Sequence, residues 1–176
     1  MTSHFPEELR SKIAGFITRY ETKRSSILPI LHAIQDYKDW VSPEDVEALE
    51  AEFELSVVHV QEVLYFYTMY RRNPPEPWRF QVCNSLPCLI NGSKKTLDRI
   101  EKELEDAKAA GKPYPMSCEE VECLGACGYA PVAFINKDRH FNVTPERALE
   151  LMKQYRELEI PEAAKRCAAE QPKLEQ

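Results

Sequence analysis

The chain has 176 residues, 43% of them apolar, enough to bury a core and build one domain, or a small domain with a helical piece attached. A formal charge of −6 at pH 7, with no basic run, argues against nucleic acid as a partner. The longest mostly apolar stretch, Val57 to Tyr70, carries His59, Gln61 and Glu62 and is too short to span a bilayer; with neither an apolar signal core nor an arginine-rich transit pattern at the N-terminus, the expected location is cytoplasmic.

Residues 6 to 70 read as four helices. Phe5, Leu9, Ile13, Phe16 and Ile17 stand at helical spacing in the first, from Pro6 to about Tyr20. The second, Ser26 to Asp39, places Ile27, Ile30, Leu31 and Ile34 on one face. Ser42-Pro43-Glu44-Asp45 starts the third, with a capping serine, a proline at the first helical position and acids in the first turn. Ser56 caps the fourth, which carries Val57, Val60, Val63, Leu64 and Tyr67. The aromatic group Tyr65, Phe66, Tyr67 and Tyr70 is expected to be mostly core, with a partner-facing patch as the other reading.

Asn73-Pro74-Pro75-Glu76-Pro77 breaks the chain and marks a boundary. Beyond it Trp78, Phe80 and Val82 alternate with Arg79 and Gln81, the pattern of a strand that delivers Cys83 at its end. A helix is expected from Asn91 or Ser93 to about Ala110. Pro131 to Asn136 reads as a strand, Lys137-Asp138 as a turn and Arg139 to Val143 as the returning strand. Thr144-Pro145-Glu146 opens a last helix to about Glu157 by the chemistry seen at Ser42. The expected division is therefore a helical segment over 1–73, a mixed α/β domain over 74–159 and a flexible polar tail, or a loose helix, over 160–176.

The chemistry lies in four cysteines, spaced Cys83-x4-Cys88 and Cys123-x3-Cys127, with no histidine beside either pair. Each pair can serve one metal centre. Structural zinc sites favour C-x2-C pairs or added histidine, whereas four thiolates with a four-residue first loop suit an iron–sulfur cluster. Zinc held by four thiolates is the competing reading, and disulfides or free thiols remain behind both. Small residues fill the loops, and such loops let backbone N–H groups turn towards sulfur; Gly125 and Gly128 admit positive φ there. Cys118 is an extra cysteine whose spacing to Cys123 repeats that of the first pair, so spacing alone allows it to displace a ligand. His4, His32, His59 and His140 are scattered, with no Rieske pattern. A thioredoxin-type dithiol would need C-x-x-C after the strand, where this chain has C-x4-C. Five glycines build no G-x-G-x-x-G or P-loop, so no nucleotide cradle is visible.

The run Cys83-Asn-Ser-Leu-Pro-Cys88, then Val121-Glu-Cys-Leu-Gly-Ala-Cys-Gly-Tyr-Ala-Pro-Val132 and Ile135-Asn136, resembles the thioredoxin-like [2Fe–2S] subunit of NADH:quinone oxidoreductase, complex I. Leu28-Pro-Ile-Leu31, Gln35, Trp40-Val-Ser-Pro-Glu44 and Phe66-Tyr-Thr-Met-Tyr70 resemble the helical part of that family, so the likeness runs over about residues 6 to 157. It implies an α+β, or α/β, architecture: an N-terminal helical bundle, then a thioredoxin-like [2Fe–2S] domain with helices on both faces of its sheet. It also implies cluster ligation by Cys83, Cys88, Cys123 and Cys127, and argues against Cys118. The segment Gly111-Lys-Pro-Tyr-Pro-Met-Ser117 departs from the family in lacking its glycines and threonine, which leaves the backbone there open.

By the same resemblance the chain is an electron-transfer subunit of the peripheral arm, on the cytoplasmic side of a bacterial membrane. It would exchange single electrons with the FMN of an NADH-binding partner subunit and have no activity alone. A cluster passes one electron whereas NADH gives up a hydride, so the two-electron step belongs to that flavin. An equivalent subunit of an NAD-linked hydrogenase or formate dehydrogenase is the alternative within the class; a zinc-stabilised, non-redox interaction domain is the alternative outside it. Glu119, Glu120 and Glu122 read as a solvated face whose negative charge disfavours reduction nearby.

Overall fold

A computed structural model describes residues 3–170 and divides the chain into two compact units. One runs to Pro75 and resumes at Pro161; the other is Glu76–Ile160.

The first unit contains helices α1 (Glu7–Ile17), α2 (Ile27–Lys38), α3 (Pro43–Phe53) and α4 (Val57–Phe66). Their apolar spacing gives each one buried stripe, and Leu9, Ile13, Ile27, Ile30, Leu31, Ile34, Leu49, Val60 and Leu64 meet in one core. The start of α3 is a full capping box: Asp45 N–H donates to the Ser42 hydroxyl at 3.3 Å, and Ser42 N–H donates to the Asp45 carboxylate at 2.7 Å. Asp45 is buried and also receives the buried Lys38 ammonium and the His4 ring, each at 2.8 Å. Only complete pairing makes such a buried charge tolerable.

One expectation fails in this unit, and one pair of alternatives is decided. Of the aromatic group, only Tyr70 is core, its hydroxyl donating to the Leu28 carbonyl at 2.8 Å; Tyr65, Phe66 and Tyr67 are exposed. Helix α4 ends at Phe66, so helical spacing does not carry through Tyr70. Of the two readings of 160–176, a flexible tail or a loose helix, the first part takes the helix. Helix α8, Glu162–Glu170, packs on α2 and buries Ala164 and Cys167 one turn apart. Its buried side chains are small, which leaves a weak apolar signal. Residues 171–176 lie outside the described residues.

The second unit contains β1 (Trp78–Cys83), a short helix α5 (Leu86–Ile90), α6 (Ser93–Ala109), β2 (Met116–Val121), β3 (Ala133–Ile135), β4 (Asp138–His140) and α7 (Pro145–Glu157). The strands form one sheet in the order β2-β1-β3-β4, with β1 and β2 parallel and the other pairs antiparallel. The alternation read along β1 is real. Trp78, Phe80 and Val82 meet Leu97 and Ile100 of α6 and Ala148, Leu151, Met152 and Tyr155 of α7 in a second core.

Helices α6 and α7 pack against each other and share that core, so both lie on one face of the sheet. The expected cover on both faces is not built within this unit. The reason lies in β1 itself, whose other face offers Arg79 and Gln81. Strand β2 begins only at Met116, so of the stretch 111–117 whose backbone the sequence leaves open just Met116 and Ser117 are strand; its residues Glu119 and Glu120 are exposed at the sheet edge. The hairpin is shorter than expected, with Asp138 inside β4 and Asn136 taking the positive φ of the turn.

Candidate metal centre

Strand β1 ends on Cys83, which is fixed on both sides: its N–H donates to Val132 O at 3.0 Å, and Asn84 N–H donates to Val121 O at 2.9 Å. Ser85 then adopts an extended conformation, Pro87 enters at the first turn, and α5 carries Cys88 inward. Unlike Ser42 at α3, Ser85 makes no side-chain cap bond, and the sequence reading places no helix at Ser85-Leu86-Pro87.

The second pair follows β2. Gly125 takes φ 71°, the left-handed turn a glycine allows, and donates its N–H to the Cys123 sulfur at 3.4 Å. Gly128 does not need that freedom, since it lies within a short 3-10 turn over Cys127–Tyr129.

Packing brings the two loops together. Cys83, Cys88 and Val132 form a small buried cluster, and Leu124, Ala126, Ala130 and Phe134 pack on it. Leu124 and Ala126 belong to the Cys123–Cys127 loop, so that loop covers the first pair. Cys123 and Cys127 are themselves exposed.

Within each pair one thiol acts on the other: Cys88 lowers the Cys83 thiol and Cys123 raises that of Cys127. Burial works to raise the Cys83 thiol, but the backbone amides of Ser85 and Leu124 and the Cys88 thiol outweigh it and bring it below its ordinary value. Cys88 moves up, through burial and through the negative charge of Cys83 and Cys127, although the Val132 amide works the other way. Cys127 also moves up, first because of Cys123 beside it, then through burial and the charge of Cys83. Such opposed shifts are the behaviour of neighbouring thiols that cannot all ionise together.

Among the described residues no three His, Cys, Asp or Glu side chains close on one point as a ready ion site. The four thiols act on one another within and across the pairs, Cys127 on Cys88 and Cys83 on Cys127. Four thiols with amides aimed at their sulfurs and no nitrogen or carboxylate donor among them fit a thiolate-ligated iron–sulfur cluster. Zinc held by four thiolates is the competing occupant.

Cys118 stands apart. It lies opposite Phe80 in the sheet register and packs into the second core, on the face away from Cys83. Burial, with the charges of Glu101 and Glu119, pushes its thiol up to about 12. Cys167 is in the other unit. The histidines do not gather either: His4 bonds Asp45, His32 stacks near Tyr70 and His140 meets the Tyr155 hydroxyl at 3.1 Å.

The profile of the thioredoxin-like [2Fe–2S] ferredoxin family matches residues 13–156. A subunit of the NADH-quinone oxidoreductase of Aquifex aeolicus (strain VF5) is 34% identical over 152 residues, 86% of this chain and 95% of the relative. The subunits of the same name from Rickettsia prowazekii (strain Madrid E) and Mycobacterium bovis (strain ATCC BAA-935 / AF2122/97) are 35% and 33% identical; the matches cover 77% and 60% of those relatives. Among solved structures, an NAD+-reducing [NiFe]-hydrogenase in the H2-reduced state shares the fold with a TM-score of 0.55 at 17% identity, over 81% of this chain and 22% of that one. Among the described residues no helix is long and apolar enough to cross a membrane.

Proposed function

Since the chain belongs to the thioredoxin-like [2Fe–2S] ferredoxin family, we propose that Cys83, Cys88, Cys123 and Cys127 hold one [2Fe–2S] cluster and that the protein is an electron-transfer subunit of NADH:quinone oxidoreductase. The observation that carries this reading is the packing of the two cysteine loops on each other. Leu124 and Ala126 of the second loop cover Cys83 and Cys88, and four thiols with backbone amides aimed at sulfur and no histidine or carboxylate among them suit an iron–sulfur cluster. When bound, the cluster supplies a site for one electron.

The chain's own residues do the rest. Cys83 and Cys88 are shielded by Val132, Leu124 and Phe134, which keeps water from the inner pair. Amides of Ser85, Leu124, Val132 and Gly125 point at sulfur and stabilise negative charge there. The exposed pair, Cys123 and Cys127, is the edge through which an electron enters or leaves. Hydride chemistry belongs to an FMN-bearing, NADH-binding partner subunit, because no nucleotide loop is visible in this chain. In that assembly the protein is peripheral, on the cytoplasmic side of a bacterial membrane.

The likeness to the hydrogenase over 81% of the chain supports a second reading, the equivalent subunit of an NAD-linked hydrogenase. The parent complex is decided by purifying the tagged chain with its partners and identifying them. The cluster is tested on the anaerobically purified protein. Two irons and two acid-labile sulfides per chain, a reddish-brown colour and an EPR signal on one-electron reduction are expected. A colourless protein with one zinc would defeat the reading.

A further inference from the structure

The face of the sheet that α6 and α7 leave open carries one in-register row across all four strands: Glu119 on β2, Gln81 on β1, Phe134 on β3 and Arg139 on β4. The next row on that face contains Val121 and Cys83, with Val132 bonded to Cys83. The open face therefore sets a carboxylate at one edge and a guanidinium at the other, one pleat behind a cysteine.

Both charges are held in place. The Gln81 amide donates to the Glu119 carboxylate at 2.7 Å. The Arg139 guanidinium lies over the Phe134 ring, 5.6 Å from its centroid, and Phe134 packs on Cys83 and Cys88. Neutral Gln81 and Phe134 separate the two, so neither charge cancels the other. Same-face neighbours along a strand are about 7 Å apart and adjacent strands about 5 Å, which puts the Glu119 and Arg139 backbones about 9 and about 12 Å from that of Cys83. These separations are near the Debye length at ordinary ionic strength, so both charges act on the cysteine site and both are weakened by salt.

We propose that Glu119 and Arg139 are opposed positioning charges that set the reduction potential of the cluster, Glu119 lowering it and Arg139 raising it; this rests on the cluster assignment above. Reduction by one electron from dithionite adds one negative charge and breaks no bond. A carboxylate nearby opposes that added charge and a guanidinium favours it. Glu120, bonded by the Asn84 amide, and exposed Glu122 lie near the same end and shift the baseline without belonging to the row.

The test is an EPR-monitored redox titration of the cluster-loaded full chain at low and high salt, with iron and sulfide counted in each preparation. Glu119→Gln, which keeps an amide partner for Gln81, should raise the midpoint about threefold in the reduction equilibrium, or about 28 mV at 59 mV per tenfold. Arg139→Gln should lower it by a smaller factor, because Arg139 stands farther from Cys83. Arg139→Lys should stay with the parent and the double Gln variant should fall between the two single Gln variants. All differences should shrink in high salt with cluster content unchanged. Midpoints unmoved at low salt, shifts of the same sign in both single variants, or Arg139→Lys behaving like Arg139→Gln would overturn the proposal. So would loss of iron from a single variant, which makes the residue structural. A parent protein without iron would instead overturn the cluster assignment, and this proposal with it.

Discussion

Replacing cysteines one at a time separates the proposed ligands from their strongest rival. Cys118 has the right spacing to Cys123, but its thiol is pushed up to about 12 from an ordinary value near 9. At about 1.36 kcal/mol per tenfold in the acid constant, making a thiolate of Cys118 costs about 4 kcal/mol more than for an ordinary thiol. Reaching the cluster would also require its sulfur to leave the apolar core and cross to the face that carries Cys83. Cys118→Ser and Cys118→Ala should therefore keep full iron and acid-labile sulfide, with only a small loss of stability from the half-buried site. Serine at Cys83, Cys88, Cys123 or Cys127 should sharply reduce both, and Cys167→Ser should reduce neither. Metal and sulfide analysis of anaerobically purified variants decides the matter. Cluster loss in Cys118→Ala with retention in Cys123→Ser or Cys127→Ser would refute the reasoning.

Other consequences are open to measurement. Asp45→Ala removes the carboxylate from the buried Lys38 ammonium and half of the α3 capping box, so unfolding by urea should show a loss of about 3–5 kcal/mol; a loss below about 1 kcal/mol would contradict the account of that network. His140 is held below its ordinary value of 6.5, first by burial, so the unfolded chain binds its proton more readily. Its contribution to stability is then present above pH 6.5 and lost as pH falls through and below that value, and His140→Gln should flatten the urea midpoint over this range. An unchanged pH profile would show that another group governs it. Calorimetric titration of the isolated, cluster-loaded chain with NADH should give no heat of binding, and tight binding would mean a nucleotide site that the sequence does not announce.

Much of this protein is local information. The caps at Ser42 and Thr144, the apolar stripes of α1 to α4 and the alternation of Trp78, Phe80 and Val82 are short-range patterns, and each became the element it announced. The spacing of the cysteine pairs and their small-residue loops were equally plain, because ligand sets of this kind are contributed by short segments. Other features were decided only by contacts between distant parts of the chain. Met116–Val121 has little strand character on its outer side and becomes β2 because β1 offers it a parallel ladder. Glu162–Glu170 becomes an ordered helix because α2 accepts Ala164 and Cys167. Cys118 and Cys83 are equivalent by spacing, yet the sheet's pleat sends one sulfur into the core beneath α6 and α7 and the other to the second cysteine loop. Which charges stand behind Cys83 depends in the same way on a register across the whole sheet, whose other strands all follow β1 at long range in the chain. Spacing along a chain specifies which groups can share a turn; the faces they occupy follow from pairing, which no short window contains.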